Sequence, residues 1–252
     1  MPSPQSSALI LAKSDHRPWE RPRKPWAMAQ SWCNLLFAHW RVPINTLESL
    51  IPSGLTLDTY EGEAWIGVVP FHMKYIRAHG IPAVPFTSAF PELNVRTYVT
   101  DGKKRGVYFF SLDAMHRLAV ETARNVFHLP YFMADMAWYV DDQTVHYTST
   151  RTDKRTDSGE FRGWYRPISD VYHSQPDTLE HWLTERYCMY AEFKGKLYRG
   201  EIHHAPWGLQ RAEADIFENT VTNAHGITLP DESPLLHYIE QIDVLAWLMD
   251  RV

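Results

Sequence analysis

FPELNVRTYVTDGKKRGVYFFSLDA, residues 90 to 114, holds two apolar runs joined by a polar link. Asn94 to Thr100 and Val107 to Leu112 are rich in β-branched and aromatic residues, which suit a pleated and partly buried surface. The linking Asp-Gly-Lys-Lys-Arg-Gly has the turn chemistry of a hairpin loop. The same grammar recurs along the chain. Met133 to Val140 and Thr144 to Thr150 flank Asp141-Asp142, and Tyr187 to Phe193 and Leu197 to His204 flank Lys-Gly-Lys. Further strands are expected at 31–42, 64–71, 160–165, 209–217 and 237–248. Strand follows strand with few crossover helices, so the chain reads as α+β with a mostly antiparallel sheet.

Helical signals are fewer. Asn45-Thr-Leu-Glu48 has the form of a capping box and predicts a short helix ended by Pro52. Asp113 is placed to cap a helix reaching about Phe127, with Leu118, Ala119, Thr122, Ala123, Val126 and Phe127 on one apolar face. A short helix is expected near 178–184, and a proline-broken loop at 80–91. Residues 1–26, rich in Pro, Ser and charge, read as a flexible arm before a single domain at 27–252.

Composition narrows the function classes. Hydrophobic residues make up 44% of the 252, and ten Trp, thirteen Tyr and eleven Phe favour a strand-rich core. A net charge of −5 gives no electrostatic case for nucleic acid or an anionic membrane. No apolar run approaches the roughly 18 residues of a membrane span, so a soluble cytoplasmic protein is expected. Cys33 and Cys188 read as buried thiols rather than a disulfide framework. There is no G-x-S-x-G elbow, Gly-rich phosphate loop or H-E-x-x-H. His203 and His204, adjacent on a strand, point to opposite faces, and neither a metal nor a cofactor is expected.

Polar residues among apolar neighbours carry more. Glu92, Asn94 and Arg96 recur at period two, with Leu93 and Val95 on the other face. They form either a pocket wall, where Glu92 and Arg96 pair or await a ligand, or the solvated face of an edge strand. Tyr147, Ser149 and Arg151 repeat the spacing with the same two readings. Arg124 either reaches inward to a carboxylate or points out to water.

LESLIPSGLTLDTYEG (47–62), FPELNVRTYV (90–99), VYFFSLDA (107–114), ARNVFHLPYFMADM (123–136) and IHHAPWGLQRA (202–212) together resemble the uncharacterised YqjF-like family, within the acetoacetate decarboxylase-like superfamily. The resemblance spans roughly residues 30–248. It implies a cone-like, largely antiparallel β-barrel with a few helices and an interior pocket. In the decarboxylases a barrel lysine forms a Schiff base with the ketone, its pKa lowered by an adjacent lysine. Here Arg124 and Pro130 match that motif, Asn125 replaces its glutamate, and Tyr131 and Phe132 fall where the lysine pair belongs. Glu92 matches one pocket glutamate. A second would fall at 64–71, where only apolar residues or Gly67 stand. Lys74 is the one lysine on an expected barrel strand.

The resemblance and the residues together lead to a barrel that binds a small organic acid or carbonyl compound without a Schiff-base lysine. Asn94, Arg96, Arg124, Tyr147 and Arg151 are the expected ligand-binding residues. A non-covalent acid–base enzyme, with Glu92 as base and Tyr131 as acid, is the alternative. A structural or interaction protein, with a contiguous exposed patch of Trp and Tyr, is the third reading. A monomer or a homo-oligomer is compatible with all three.

Overall fold

The computed structural model describes residues 6–82 and 89–252. In chain order, α1 (Ser7–Ala12) leads into β1 (Met28–Val42), α2 (Ile44–Glu48), β2 (Thr56–Leu57), β3 (Ala64–Ala78), β4 (Phe90–Thr100) and β5 (Arg105–Ala114). Then come α3 (Arg117–Val126), β6 (Tyr131–Asp141), β7 (Thr144–Arg151), β8 (Glu160–Pro167) and α4 (Leu179–Thr184). The chain continues through β9 (Cys188–Phe193), β10 (Lys196–His203), β11 (Gln210–Asn219), β12 (Leu235–Ala246) and β13 (Asp250–Arg251).

Two closed rings share one wall. β5-β6-β7-β8-β11-β12-β1-β3-β4 closes through the β4–β5 pairing and makes a nine-strand barrel. A smaller ring runs β5-β9-β10-β12-β1-β3-β4, closed by Ile202 and His203 of β10 against Ala246 and Leu245 of β12. Among the described residues only β5 pairs in parallel, with β6 and with β9, so the mostly antiparallel expectation holds. The three hairpins read from the sequence form within a residue or two of their expected bounds, except that β4 begins at Phe90, four residues before the expected Asn94. Asp142 and Gln143, with φ of 40° and 68°, make the tight turn between β6 and β7.

Strands β1, β3 and β4 form the partition between the rings, and alternate residues enter different cores. Leu36, Ala38, Val68, Leu93 and Val95 join Tyr147, Phe161 and Tyr165 inside the larger ring. Leu35, Phe37, Val69 and Phe71 face the smaller one, with Ile202, Trp207 and Ile239. A strand with a core on each face must be apolar on both, which is why LLFAHW and AWIGVVPF read as unbroken hydrophobic runs. Asn34 bends β1 in the left-handed region, φ 48°, where its register with β3 shifts. Tyr165 and Tyr238 hold that bend by donating hydrogen bonds to the Asn34 carbonyl (2.8 Å) and amide oxygen (2.7 Å).

Several local expectations need correction. Asp113 does not cap a helix; it remains in β5, and α3 starts after His116 with no side-chain cap. Asn45 likewise lies inside α2, whose cap position is Pro43, so the capping box does not form. The supposed flexible arm is docked in its described part. Ile10 and Trp26 are buried, and Arg17 pairs with Glu201 at 2.9 Å. Trp19 donates to the same carboxylate at 2.8 Å, and Lys104 reaches its other oxygen. Charged arms dock when a buried counter-charge awaits them, and sequence alone does not show where Glu201 stands. The loop expected at 80–91 lies partly outside the described residues, and β4 already begins at Phe90.

Arg151 and Asp113 tie β7 to β5 inside the larger core, with contacts of 2.8 and 3.1 Å and no solvent exposure of either side chain. Truncating one partner strands the other charge in a dry core. Arg151→Met is therefore expected to cost about 3–5 kcal/mol in urea unfolding. Arg151→Met combined with Asp113→Leu should recover most of that loss. Additive losses in the double variant would show that the pair is not the source.

Candidate functional site

The smaller ring encloses a cavity of about 350 Å³. Its walls come from β1, β3, β4, β5, β9, β10 and β12, and α3 borders one end. Burial is graded along it. Val69, Phe71, Leu35, Arg96 and Arg186 are buried, whereas Met28, Gln30 and Trp32 are half-buried and Leu118 of α3 is 78% exposed. The mouth therefore lies by α3 and the start of β1. This explains a discrepancy in α3, whose expected apolar face does not pack into a filled core. Ala119, Thr122, Ala123 and Phe127 border the cavity, and Val120 is the helix's one buried residue.

One strand supplies the polarity. Glu92, Asn94 and Arg96 of β4 all line the cavity and all are buried, so the edge-strand reading does not apply. Glu92, 3% exposed, accepts a hydrogen bond from the Tyr131 hydroxyl at 2.7 Å. Burial pushes its carboxyl up to about 8, against the opposing hydrogen bonds from Tyr131 and Asn94. At neutral pH the group mostly keeps its proton and is an acid at rest. Burial, then the neighbouring Glu92, moves the Tyr131 phenol well above its ordinary range. That is the reverse of the lowered pKa that the acid role expected for Tyr131 calls for.

Arg96 and Glu92 do not pair with one another. Among the described residues no carboxylate lies within ion-pair distance of Arg96, and its Nε has no hydrogen-bond partner. The guanidinium packs over Phe37 at 5.0 Å and near Tyr98 at 6.0 Å. Arg186 approaches the same tyrosine at 4.8 Å and also lines the cavity. One of its nitrogens bonds Asp58 at 2.7 Å, its Nε bonds the Trp182 carbonyl at 2.6 Å, and Nη2 is left without a partner. The Asn94 amide oxygen is also unpartnered.

Three expected site residues stand elsewhere. Arg124 does not line the cavity; it donates to the Tyr131 carbonyl at 2.8 Å and clamps α3 to β6. Arg151 is committed to Asp113 in the other core. Tyr147 also lies in that core, where it donates to the Glu92 carbonyl at 2.8 Å and braces the strand from behind. Period two was read correctly on β7, but its inward face belongs to the larger ring. Phe132 turns from the cavity and packs beneath Arg124 and Arg151, 5.3 Å from each. No lysine is among the described lining residues, and Lys74 lies beside Trp138 at 6.0 Å, outside the cavity.

Sequence reading missed Arg186, Thr184 and Trp207. Trp207 lines the cavity, donates to the Thr184 carbonyl at 2.7 Å and packs edge-on against Phe37 at 5.1 Å. Its only signal was the unexplained IHHAPWGLQRA stretch, and Arg186 had none. His203 and His204 face opposite ways, the first toward the docked arm and the second toward Tyr187 and Trp207. No group of three or more metal-ligating side chains gathers among the described residues.

Comparison with known proteins adds the lineage. Residues 29–243 match the DUF2071 family, described as an uncharacterised conserved protein. The chain belongs to that family. It is 53% identical over 222 residues to the uncharacterised protein YqjF of Bacillus subtilis (strain 168), covering 88% of this chain and 91% of the relative. Among solved structures it is similar to an acetoacetate decarboxylase-like enzyme from Sphingomonas wittichii RW1, with a TM-score of 0.61 and 12% identity. That match covers 95% of this chain and 100% of the other. The enduracididine biosynthesis enzyme MppR complexed with pyruvate matches with a TM-score of 0.60 and 10% identity, over 94% and 93% of the two chains. These similarities establish the acetoacetate decarboxylase-like fold of this DUF2071 member.

Because the folded Glu92 holds its proton between pH 4.5 and about 8 and the unfolded chain does not, stability falls as pH rises through that window. Urea unfolding across about pH 5 to 9 should show a decline that Glu92→Gln flattens. Parallel profiles for the two proteins would place Glu92 in an ordinary, solvated setting.

Proposed function

We propose that this chain binds a small organic acid in the cavity of the smaller ring, without covalent capture. The observation that carries the reading is Arg96. It is 8% exposed, faces an enclosed space and has no carboxylate partner among the described residues. A buried guanidinium without a counter-charge is costly, and a ligand carboxylate supplies both the charge and the planar acceptors that match it. The unpartnered nitrogens of Arg96 and Arg186 offer two donors for such a group. MppR, which shares the fold, has been seen with pyruvate, an acid of this class.

An iminium requires an amine, and the described cavity lining holds none. Tyr131 stands where the superfamily's nucleophile belongs, and a phenol does not form a Schiff base. The acid–base enzyme is the second reading, favoured by a Glu92 carboxyl whose pKa of about 8 lets it exchange protons near neutrality. In that role Glu92 delivers a proton first and recovers it later. The interaction-protein reading finds less support, since no tryptophan is among the exposed large side chains of the described residues.

A thermal-shift panel of carboxylates, keto acids and matched neutral compounds tests the proposal. At a hundredfold its dissociation constant, a binding acid stabilises the fold by about 2.7 kcal/mol. Arg96→Met should abolish the shift while leaving the protein folded. Silence across the acids, or equal shifts with Arg96→Met, removes the reading. Turnover of any binder that survives Glu92→Gln unchanged eliminates the enzyme alternative as stated.

A further inference from the structure

The cavity is larger than a three- or four-carbon acid needs, and its buried polar residues, Glu92, Asn94, Arg96, Thr184 and Arg186, lie on one side and at one end. At about 30 Å³ per water-sized group, 350 Å³ accommodates about a dozen non-hydrogen atoms. Pyruvate has about half that number. The two incompletely partnered guanidinium groups stand together at the closed end, both against the ring of the fully buried Tyr98. From there to the mouth the lining outside β4 is largely hydrocarbon and aromatic, as at Val69, Phe71, Met73, Ile76, Trp32 and Phe127, with Gln30, His116, Arg117 and Thr122 as polar residues toward the mouth.

Resting on the reading of this cavity as a carboxylate site, we propose that its ligand is an amphipathic monocarboxylate, bound head-down. The carboxylate meets Arg96 and Arg186 at the closed end. An apolar tail of about six to nine carbons fills the length toward α3, matching the dozen-atom volume. Two features converge on this orientation. The donors lacking partners are deep, and the walls above them are mostly apolar, whereas Arg117 and His116 border the mouth beside Leu118 and Ile76, where solvent reaches them. A hydrophilic acid of the same size would desolvate its tail against rings that return no hydrogen bonds. A short acid would leave the apolar length empty or poorly hydrated.

Titration calorimetry with straight-chain carboxylates from acetate to dodecanoate, and with 1-octanol and octanamide, tests the assignment. Affinity should rise about fourfold per methylene from butanoate to octanoate, the factor for burying about 0.8 kcal/mol of hydrocarbon, and then level off. The alcohol and amide should bind at least tenfold more weakly than octanoate, as should octanoate to Arg96→Met. Thr122→Trp at the exposed edge of the mouth should shift the best chain length downward by two or more carbons, a readout independent of the buried arginine. Acids that bind with no chain-length dependence, or pyruvate binding as tightly as octanoate, overturn the amphipathic assignment while leaving a carboxylate site intact. Absence of binding by every acid defeats both. Equal affinity for octanoate and octanamide defeats the head-down orientation.

Discussion

Most of this structure depends on a wall that is buried on both sides. β12, β1, β3, β4 and β5 belong to two closed rings at once, so along their buried stretches, such as Leu35 to Ala38 and Leu93 to Arg96, alternate residues are delivered to one interior or the other. Along those stretches neither face meets solvent. For an apolar residue the choice hardly matters, and the run reads as continuous hydrophobic sequence. For a polar residue it is decisive, because each must find a partner or face a space that something polar can enter. The alternation on β4 sends Leu93 and Val95 to the filled core and Glu92, Asn94 and Arg96 to the hollow one.

Two buried arginines show how differently the same group is treated. Arg151 is forked onto Asp113, supported by Ser111 at 2.8 Å, and lies in a packed interior. It is a cross-brace between strands. Arg96 is also buried but rests on the faces of aromatic rings, with no carboxylate within reach among the described residues. Nearby Glu92 does not neutralise it, since burial favours the protonated carboxyl. The hollow ring therefore holds a fixed cation and a neutral acid, an arrangement that favours an anion more than one with two opposed charges would.

The fold is that of acetoacetate decarboxylase-like proteins. Tyr131 bonds Glu92 and shapes the cavity wall. On the facing strand Gly67 leaves room for His39, whose ring would stand 3.1 Å from any added Cβ and which shares a hydrogen bond of 2.7 Å with Tyr98.

Hairpins, strand order along the chain, the mostly antiparallel class and the polar face of β4 were all legible in the residues themselves. These are local properties, set by period-two alternation and by turn chemistry spanning a few positions. Tertiary structure alone decided which interior each alternating face enters. Tyr147 and Arg151 have the same spacing as Glu92 and Arg96, yet they point into the other ring, because β7 contributes to that ring only. It also decided the partners: Asp113 went to Arg151 rather than to a helix cap, Arg17 to Glu201, and Arg186 to the cavity floor. Pairing energies in a dry interior depend on distances between residues far apart in sequence, and no pattern within one segment encodes them.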